Sequence, residues 1–455
     1  MEFKEKKVLV FGTGRSGIGA GRLLINKGAE VILYDGNPKL DAREIKQRLY
    51  NGEQAEGADV EIILGELTKE KIKLLDLVIL SPGVPTDLPV IDQMRSGNVP
   101  IWGEIELAYV CGSGDVLGIT GTNGKTTTTA LLGEIMRAYH DEVYVVGNIG
   151  NPYTEIALKT TSDSVVVAEL SSFQLETVHT VCPKVSAILN ISPDHLDRHH
   201  TMETYIKAKE QIAVNQTAQE ICVLNYEDKV TRKFGEKTRA SVLYFSSARK
   251  LNKGIYLDHG NIIFKDSEEQ CICHIDELEL LGTHNYENIM AAAVMAFAYG
   301  VPAEVIRKAV LAFRGVAHRI EYVGEYQGVK YYNDSKGTNP DAAMKGIQAM
   351  ERPTYLIGGG YDKQASYAEW IDSFDGKVKK LVLLGATKEA IAEEARKKGF
   401  EDIIMTETLE EAVALCAEMA ESGEAVLLSP ACASWGMFPN YEVRGDKFKE
   451  LVNSL

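Results

Sequence analysis

Short apolar runs rich in Val, Ile and Leu alternate with stretches of helical periodicity along almost the whole chain, and this limits the possible folds more than any other feature. A strand that is apolar at consecutive positions has both faces buried, and the helices between such strands supply the cover, so the pattern predicts βα units and parallel sheets. The pattern restarts three times. The first segment reads as strands at residues 7–11, 31–34 and 77–80 with a helix over 16–27, ending near Pro100. The second opens with a strand at 115–120, a glycine-rich turn and a helix over 127–139. Strands follow at 164–168 and 185–189, and a hairpin over 254–265 turns at 258–261 before the segment closes near Val316. The third carries strands at 329–332, 354–357, 381–384 and 425–428, with Asn339 and Pro340 starting one of the intervening helices. A chain of 455 residues accommodates about three domains. The expected boundaries are 1–100, 101–316 and 317–455.

Composition narrows the partners. A formal net charge of −16 argues against a phosphate-backbone partner or an anionic membrane surface, both of which recruit basic patches. The charged N-terminus has no secretory pattern, and no run is long and apolar enough to span a bilayer. The seven cysteines are odd in number and scattered, and Cys271 and Cys273 have no partner pair at zinc-ligand spacing. Reduced thiols, a cytoplasmic location, no nucleic acid and no membrane insertion are therefore expected.

Two glycine-rich turns follow strands. Residues 8–17, VLVFGTGRSG, give strand, GxGxxG and helix, and Asp35 lies 18 residues beyond Gly17 at the end of the next strand. That is the dinucleotide fingerprint in its required context, so an NAD(P)-linked oxidoreductase is one reading. More generally, such a helix N-terminus accepts a phosphate or diphosphate. The second turn, GITGTNGKT at 118–126, keeps only the Gly-Lys-Thr end of the Walker pattern, because Ile119 stands where the first glycine belongs. Its parts still suit a nucleoside triphosphate: backbone N–H groups that converge on phosphate oxygens, the charge of Lys125, and a Thr126 hydroxyl for Mg²⁺.

The strand at 164–168 runs into Glu169, and the strand at 185–189 runs into DHLDRH with His195. Both stand at C-terminal strand ends, where open α/β sheets bind ligands. Glu169 and His195 suit Mg²⁺ or Mn²⁺ near a phosphate; His195 taken alone is equally a turn histidine bonded to backbone. Tyr205, Lys209 and Ile212 share one helix face, which turns a lysine inward. Such a lysine either snorkels or pairs with an acid, or its desolvated amine takes up CO₂ as a metal-binding carbamate.

Taken together, GTNGKT, ELSSFQLE at 169–176, DHLDRH, Tyr205 with Lys209, GTHN at 282–285 with Asn288, His318-Arg319, NDSKGTN at 333–339 and SPACAS at 429–434 resemble the Mur ligase family, in order and along all three segments. ELSSFQLE, and SPACAS followed by YEVRGDKF at 441–448, are most similar to its D-glutamate-adding members. The resemblance implies a Rossmann-like N-terminal domain, a central P-loop-type ATPase domain with a mostly parallel sheet, and a Rossmann-like C-terminal domain. The implied activity is ATP-dependent addition of D-glutamate to UDP-N-acetylmuramoyl-L-alanine through an acyl phosphate, by a monomer using one or two Mg²⁺ ions or Mn²⁺.

By the same resemblance, Gly14, Arg15, Ser16, Asp35, Gly36, Ser81 and Gly83 serve the uridine nucleotide, with Asn148 and Gln174 on the sugar-lactyl part. Gly121, Thr122, Asn123, Gly124, Lys125, Thr126 and Thr127 serve the ATP phosphates. Asn285 and Asn288 lie beside the adenine, and Arg319 and Asp334 complete the nucleotide site. Thr126, Glu169, His195 and a carbamylated Lys209 bind metal, and Lys125, Glu169, His195 and Lys209 carry catalysis. Lys336, Thr338, Lys363, Ser434, Trp435 and Tyr441 match positions for D-glutamate, whose two carboxylates suit two lysines. Trp435 and Tyr441 stand where better-known relatives carry a smaller apolar residue and a phenylalanine. Gly337, often alanine in the family, is expected to be without consequence. Other readings are another Mur-type or folylpolyglutamate-type amide ligase, the oxidoreductase, and a non-catalytic nucleotide-binding regulator.

Overall fold

The computed structural model describes residues 2–50, 60–148, 151–280, 282–362 and 365–455. It contains three sheets. The first comprises β1 (Lys7–Phe11), β2 (Glu30–Asp35), β3 (Glu61–Leu64), β4 (Leu77–Leu80) and β5 (Ile101–Gly103), all parallel, in the order β3-β2-β1-β4-β5. The second comprises β6 (Asp115–Thr120), β7 (Val143–Gly147), β8 (Val165–Glu169), β9 (Val185–Ile188), β10 (Ile221–Asn225), β11 (Ser241–Ser246), β12 (Gly254–Asp258), β13 (Asn261–Lys265) and β14 (Glu269–His274). Its order is β14-β13-β12-β11-β10-β9-β6-β8-β7, parallel except for the two antiparallel pairs at the β14 end. The third comprises β15 (Glu321–Tyr326), β16 (Val329–Asn333), β17 (Thr354–Gly358), β18 (Val378–Leu383), β19 (Ile403–Met405) and β20 (Ala425–Leu428), in the order β15-β16-β20-β17-β18-β19, with only β15 antiparallel.

The chain forms two compact units, Met1–Ile275 with Glu287–Val310, and Asp276–Tyr286 with Leu311–Leu455. Within the first unit, the first two sheets share one apolar core. Val8 and Val10 of β1, Ile105 and Leu107 of the helix Glu104–Cys111, and Val116 and Val166 of the second sheet belong to it. The second unit shows the two-sided burial that the continuous apolar runs predict. Leu356, Leu381 and Leu427 pack on one face of the sheet, while Ile357, Val382 and Leu428 pack on the other.

The expected strands of all three segments are present, including the hairpin that pairs Asp258 with Asn261. Asn339 caps the helix Pro340–Gln348 by accepting from the Ala342 N–H at 2.8 Å. Eight strands were not anticipated. Six of them, β3, β5, β7, β14, β15 and β19, are the sheet edges, whose residues are mostly half-exposed, while β10 and β11 lie inside the second sheet.

Candidate active site

The turn after β1 packs tightly and opens outward. A Cβ on Gly17 would meet the Gly12 carbonyl oxygen at 1.8 Å, so only glycine lets the helix Arg15–Asn26 lie this close to the strand. A Cβ on Gly14 or Gly83 would meet nothing within 4 Å. The helix N-terminus has no side-chain cap, which leaves its first N–H groups available to an anion. Asp35 holds the turn, accepting from Thr13 N–H and Oγ1 at 3.2 and 3.0 Å and from Asn37 N–H at 3.1 Å.

A cleft of about 760 Å³ opens here, and all nine residues expected on the nucleotide-substrate side line it: Gly14, Arg15, Ser16, Asp35, Gly36, Ser81, Gly83, Asn148 and Gln174. Arg15 projects largely into solvent and donates to Asn151 Oδ1 at 2.7 Å. Asn148 links this cleft to the second sheet, because its amide donates to Glu169 Oε1 at 2.8 Å.

In the second sheet, β6 lies between β8 and β9 and delivers the phosphate loop to the helix Lys125–Arg137. Gly124, at φ +84°, takes a left-handed conformation that favours glycine, and a Cβ there would meet Asn288 Oδ1 at 2.1 Å. Asn288 therefore packs against the loop and also accepts from Thr128 Oγ1 at 3.4 Å. Lys125 Nζ donates to the carbonyls of Gly121 and Thr122 at 2.8 and 2.9 Å. Asn190 latches the loop, accepting from Asn123 N–H at 2.8 Å and donating to its carbonyl at 3.2 Å.

Lys209 faces the same loop. It is 2% exposed, donates to the Gly121 carbonyl at 2.7 Å and lies 4.8 Å from the centre of the Tyr205 ring. No carboxylate lies within ion-pair distance of it among the described residues. Burial, reinforced by the charge of Lys125, pushes its amine down to about 7. An exposure of 2% is not that of a snorkelling lysine, and Asp194 and Glu169 act on the amine only at longer range.

Glu169 is buried, and its Oε2 has no hydrogen-bond partner among the described residues. Among the described residues, no three His, Cys, Asp or Glu side chains form a metal cage. Mg²⁺ keeps waters and takes one or two carboxylates together with phosphate oxygens, and Glu169 Oε2 is a buried ligand atom of the right kind.

ELSSFQLE and DHLDRH lie against each other. Arg198 pairs with Glu176 at 2.8 Å, His199 Nε2 lies 2.9 Å from Ser172 Oγ, and the Phe173 and His195 rings are 4.9 Å apart. His195 itself is half exposed, with Nε2 3.5 Å from Asp194 Oδ2. The buried member is His199, which desolvation keeps below the usual imidazole range.

In the second unit, Asp334 ends up buried at the end of β16. Its Oδ2 accepts from Ser429 Oγ at 2.6 Å and its Oδ1 from Ile320 N–H at 3.3 Å. Burial raises its carboxyl to about 7, against the opposing pulls of the Ser429 bond and Arg319. Gly337 has a consequence after all: a Cβ there would lie 2.6 Å from Asp334 Oδ2, and one on Gly346 would lie 2.9 Å from it.

The loops NDSKGTN and SPACAS are joined by Arg444, a buried residue that sequence reasoning did not single out. It donates to Ser335 Oγ and the Ser335 carbonyl at 2.9 and 2.8 Å, and to the Cys432 carbonyl at 3.2 Å. Lys336 Nζ lies 5.9 Å from the centre of the Tyr441 ring. Ser434 is buried, whereas Trp435 is 54% exposed and meets Tyr361 edge-on. Thr338 and Arg319 are half-buried. Asn285 belongs to this second unit and Asn288 to the first. Lys363 lies outside the described residues.

A phosphate loop on a mostly parallel sheet, flanked by a buried carboxylate oxygen with no partner among the described residues and a buried lysine of lowered pKa, defines an enzyme that uses a nucleoside triphosphate. Three family models match in order: "Mur ligase MurD-like, N-terminal domain" over residues 6–103, "Mur ligase middle domain" over 119–296, and "Mur ligase, glutamate ligase domain" over 318–432. The chain belongs to the Mur ligase family, and it is an ATP-dependent ligase.

It is similar to proteins named UDP-N-acetylmuramoylalanine--D-glutamate ligase from Lachnoclostridium phytofermentans, 54% identical over 100% of this chain and 99% of the relative, and Lachnospira eligens, 52% identical over 100% of both. The relative of that name from Clostridioides difficile is 45% identical over 100% of both. Among solved structures it shares its fold with MurF from Acinetobacter baumannii, TM-score 0.61 at 16% identity, covering 97% of this chain and 93% of that one. MurC from Thermotoga maritima gives TM-score 0.59 at 19% identity, covering 99% of each. No helix among the described residues is long and apolar enough to cross a membrane.

Proposed function

We propose that the chain joins the L-alanyl carboxylate of UDP-N-acetylmuramoyl-L-alanine to the amine of D-glutamate, acting as a cytoplasmic monomer with domains bounded at 100/101 and 316/317. The observation that carries this reading is Asn148, which lines the nucleotide-substrate cleft and bonds Glu169 on the phosphate-loop sheet. The names of full-length relatives at 45–54% identity support D-glutamate as the amine.

A free carboxylate does not form an amide at neutral pH, because oxide is a poor leaving group. In the first step a carboxylate oxygen attacks the γ-phosphorus of ATP and the bond to the β-bridging oxygen breaks, giving ADP and an acyl phosphate. In the second, the neutral amine of D-glutamate attacks the acyl carbon, the C–O bond breaks, inorganic phosphate departs and the amine loses a proton. The phosphate-loop N–H groups and Lys125 stabilise charge on the transferring group. Thr127 and Asn123 belong to the same cradle, with Arg319, Asp334, Asn285 and Asn288 serving the rest of the nucleotide. Thr126, Glu169, His195 and a carbamylated Lys209 would hold a Mg²⁺ ion, which would supply positive charge to the phosphate oxygens. The carbamate forms when the neutral Lys209 amine attacks CO₂ and releases one proton. Lys336, Thr338, Lys363, Ser434, Trp435 and Tyr441 receive D-glutamate.

Phosphate release measured with ATP, Mg²⁺, UDP-N-acetylmuramoyl-L-alanine and, in turn, D-glutamate, L-lysine and diaminopimelate tests the reading. Release is expected with D-glutamate alone. Release with a different amine and none with D-glutamate contradicts it.

A further inference from the structure

Two glutamates two residues apart, at the start of the helix Glu104–Cys111, are both buried but bonded very differently. Glu106 accepts from the N–H groups of His179, Thr180 and Val181 and from Thr180 Oγ1, so its charge is well satisfied. Among the described residues, Glu104, 2% exposed, accepts one bond only, from Gln174 Nε2 at 2.8 Å, and its Oε2 has no partner. A buried carboxylate left this poorly solvated is costly and calls for a reason beyond packing.

The partner supplies it. Gln174 lines the substrate cleft, and its Oε1 accepts from Ser171 N–H at 2.9 Å and Ser171 Oγ at 3.0 Å. Its carboxamide is therefore held at both ends with opposite polarity. A flipped amide would set oxygen against the Glu104 carboxylate and NH₂ against the Ser171 N–H, and both contacts are repulsive. The orientation held leaves one Nε2–H for a ligand, so Gln174 meets the cleft as a donor.

We infer that Glu104 is a positioning residue for substrate recognition: its carboxylate fixes the amide of Gln174 so that this residue donates to an acceptor oxygen on the sugar end of the nucleotide substrate. The inference rests on the proposed use of the cleft. Both residues border a void of only about 10 Å³, too small for anything beyond a single water-sized group, so a ligand does not reach Glu104 directly.

Burial raises the Glu104 carboxyl to about 7, opposed only by the Gln174 bond. The charged groups of the elements packed on this helix are engaged elsewhere or face solvent: Arg15 with Asn151 and Glu155, Arg22 with the carbonyls of Arg48 and Leu49, Arg198 with Glu176, and Lys159 exposed. His179 Nε2 lies 2.8 Å from the Ile101 carbonyl oxygen. Because the pKa is raised, the carboxylate that pins Gln174 is present above about 7 and is lost as pH falls through that value.

The test is calorimetric titration of UDP-N-acetylmuramoyl-L-alanine into the whole protein, without ATP or amino acid, from pH 6 to pH 8.5. The wild type is expected to bind about fivefold more weakly at the acid end, the worth of one hydrogen bond. Glu104→Gln, like the protonated carboxyl, can donate as well as accept and so no longer fixes the polarity of Gln174, and it has no titrating proton, so its affinity stays flat near the acid-end wild-type value. Glu104→Leu binds weakly at every pH. Binding of an ATP analogue and the melting temperature serve as folding controls, and Glu104→Gln carries the test if Glu104→Leu does not fold. A Glu104→Gln profile that follows the wild type, or Glu104→Leu binding as tightly as wild type, overturns the inference while leaving the ligase reading intact. A wild type that does not bind the nucleotide substrate overturns both.

Discussion

The cleft after β1 and the glycine-rich loop after β6 are both strand-to-helix turns of a kind that suits anions, yet they are prepared differently. In the cleft, Gly14 and Gly83 face open space and the helix N-terminus is uncapped, so the ligand's place is already made. At the phosphate loop, the cations are occupied by the loop itself: Lys125 and Lys209 both donate to the Gly121 carbonyl, and Asn190 holds Asn123 from both sides. A site of the first kind binds with little rearrangement beyond the release of Arg15 from Asn151 and Glu155, whereas one of the second must exchange several internal hydrogen bonds for ligand bonds. Binding energy spent on that exchange goes to aligning the groups that act in phosphoryl transfer.

Four substitutions break or sharpen this contrast, in falling order of effect. Lys209→Ala should lower kcat about a hundredfold or more, the scale of losing one preorganised charge at the transition state. Phosphate release should recover in part with added short carboxylic acids, which replace the carbamate; full activity without them removes the carbamate from the account. Arg15→Ala should raise KM for the nucleotide substrate about tenfold with kcat little changed, because a cation on a diphosphate in a preformed cleft binds ground and transition states alike. Asn190→Ala should raise KM for ATP about fivefold without touching that for the nucleotide substrate, since it loosens only the loop. Asn339→Ala should cost about 1 kcal/mol in thermal unfolding, the worth of a helix cap, and leave both KM values near wild type.

The sequence made most of the interior legible and the margins obscure, although the interior strands β10 and β11 of the second sheet went unanticipated. Val8 to Phe11, Val116 to Ile119 and Val165 to Ala168 are buried on both faces, so their apolar runs announce strands. Edge strands such as Glu61–Leu64 and Ile403–Met405 are half exposed and carry no such signature. The site residues divide in a similar way. Gly14, Lys125 and Glu169 sit at strand ends, where position itself signals function. Glu104, Asn190 and Arg444 act through partners 70, 67 and 109 residues away, and no local spacing shows that Glu104 faces Gln174 or that Arg444 holds Ser335. Gly337 is the reverse case, a position whose freedom to vary looked evident until Asp334 proved to occupy the space beside it.

The most direct test of the central contrast is calorimetric titration of UDP-N-acetylmuramoyl-L-alanine into the Lys125→Ala variant and the wild type, each with and without a non-hydrolysable ATP analogue. The account predicts the same affinity in all four titrations, because the cleft is complete without the phosphate loop. Binding that appears only when the analogue is present, or that is lost with Lys125, would contradict it.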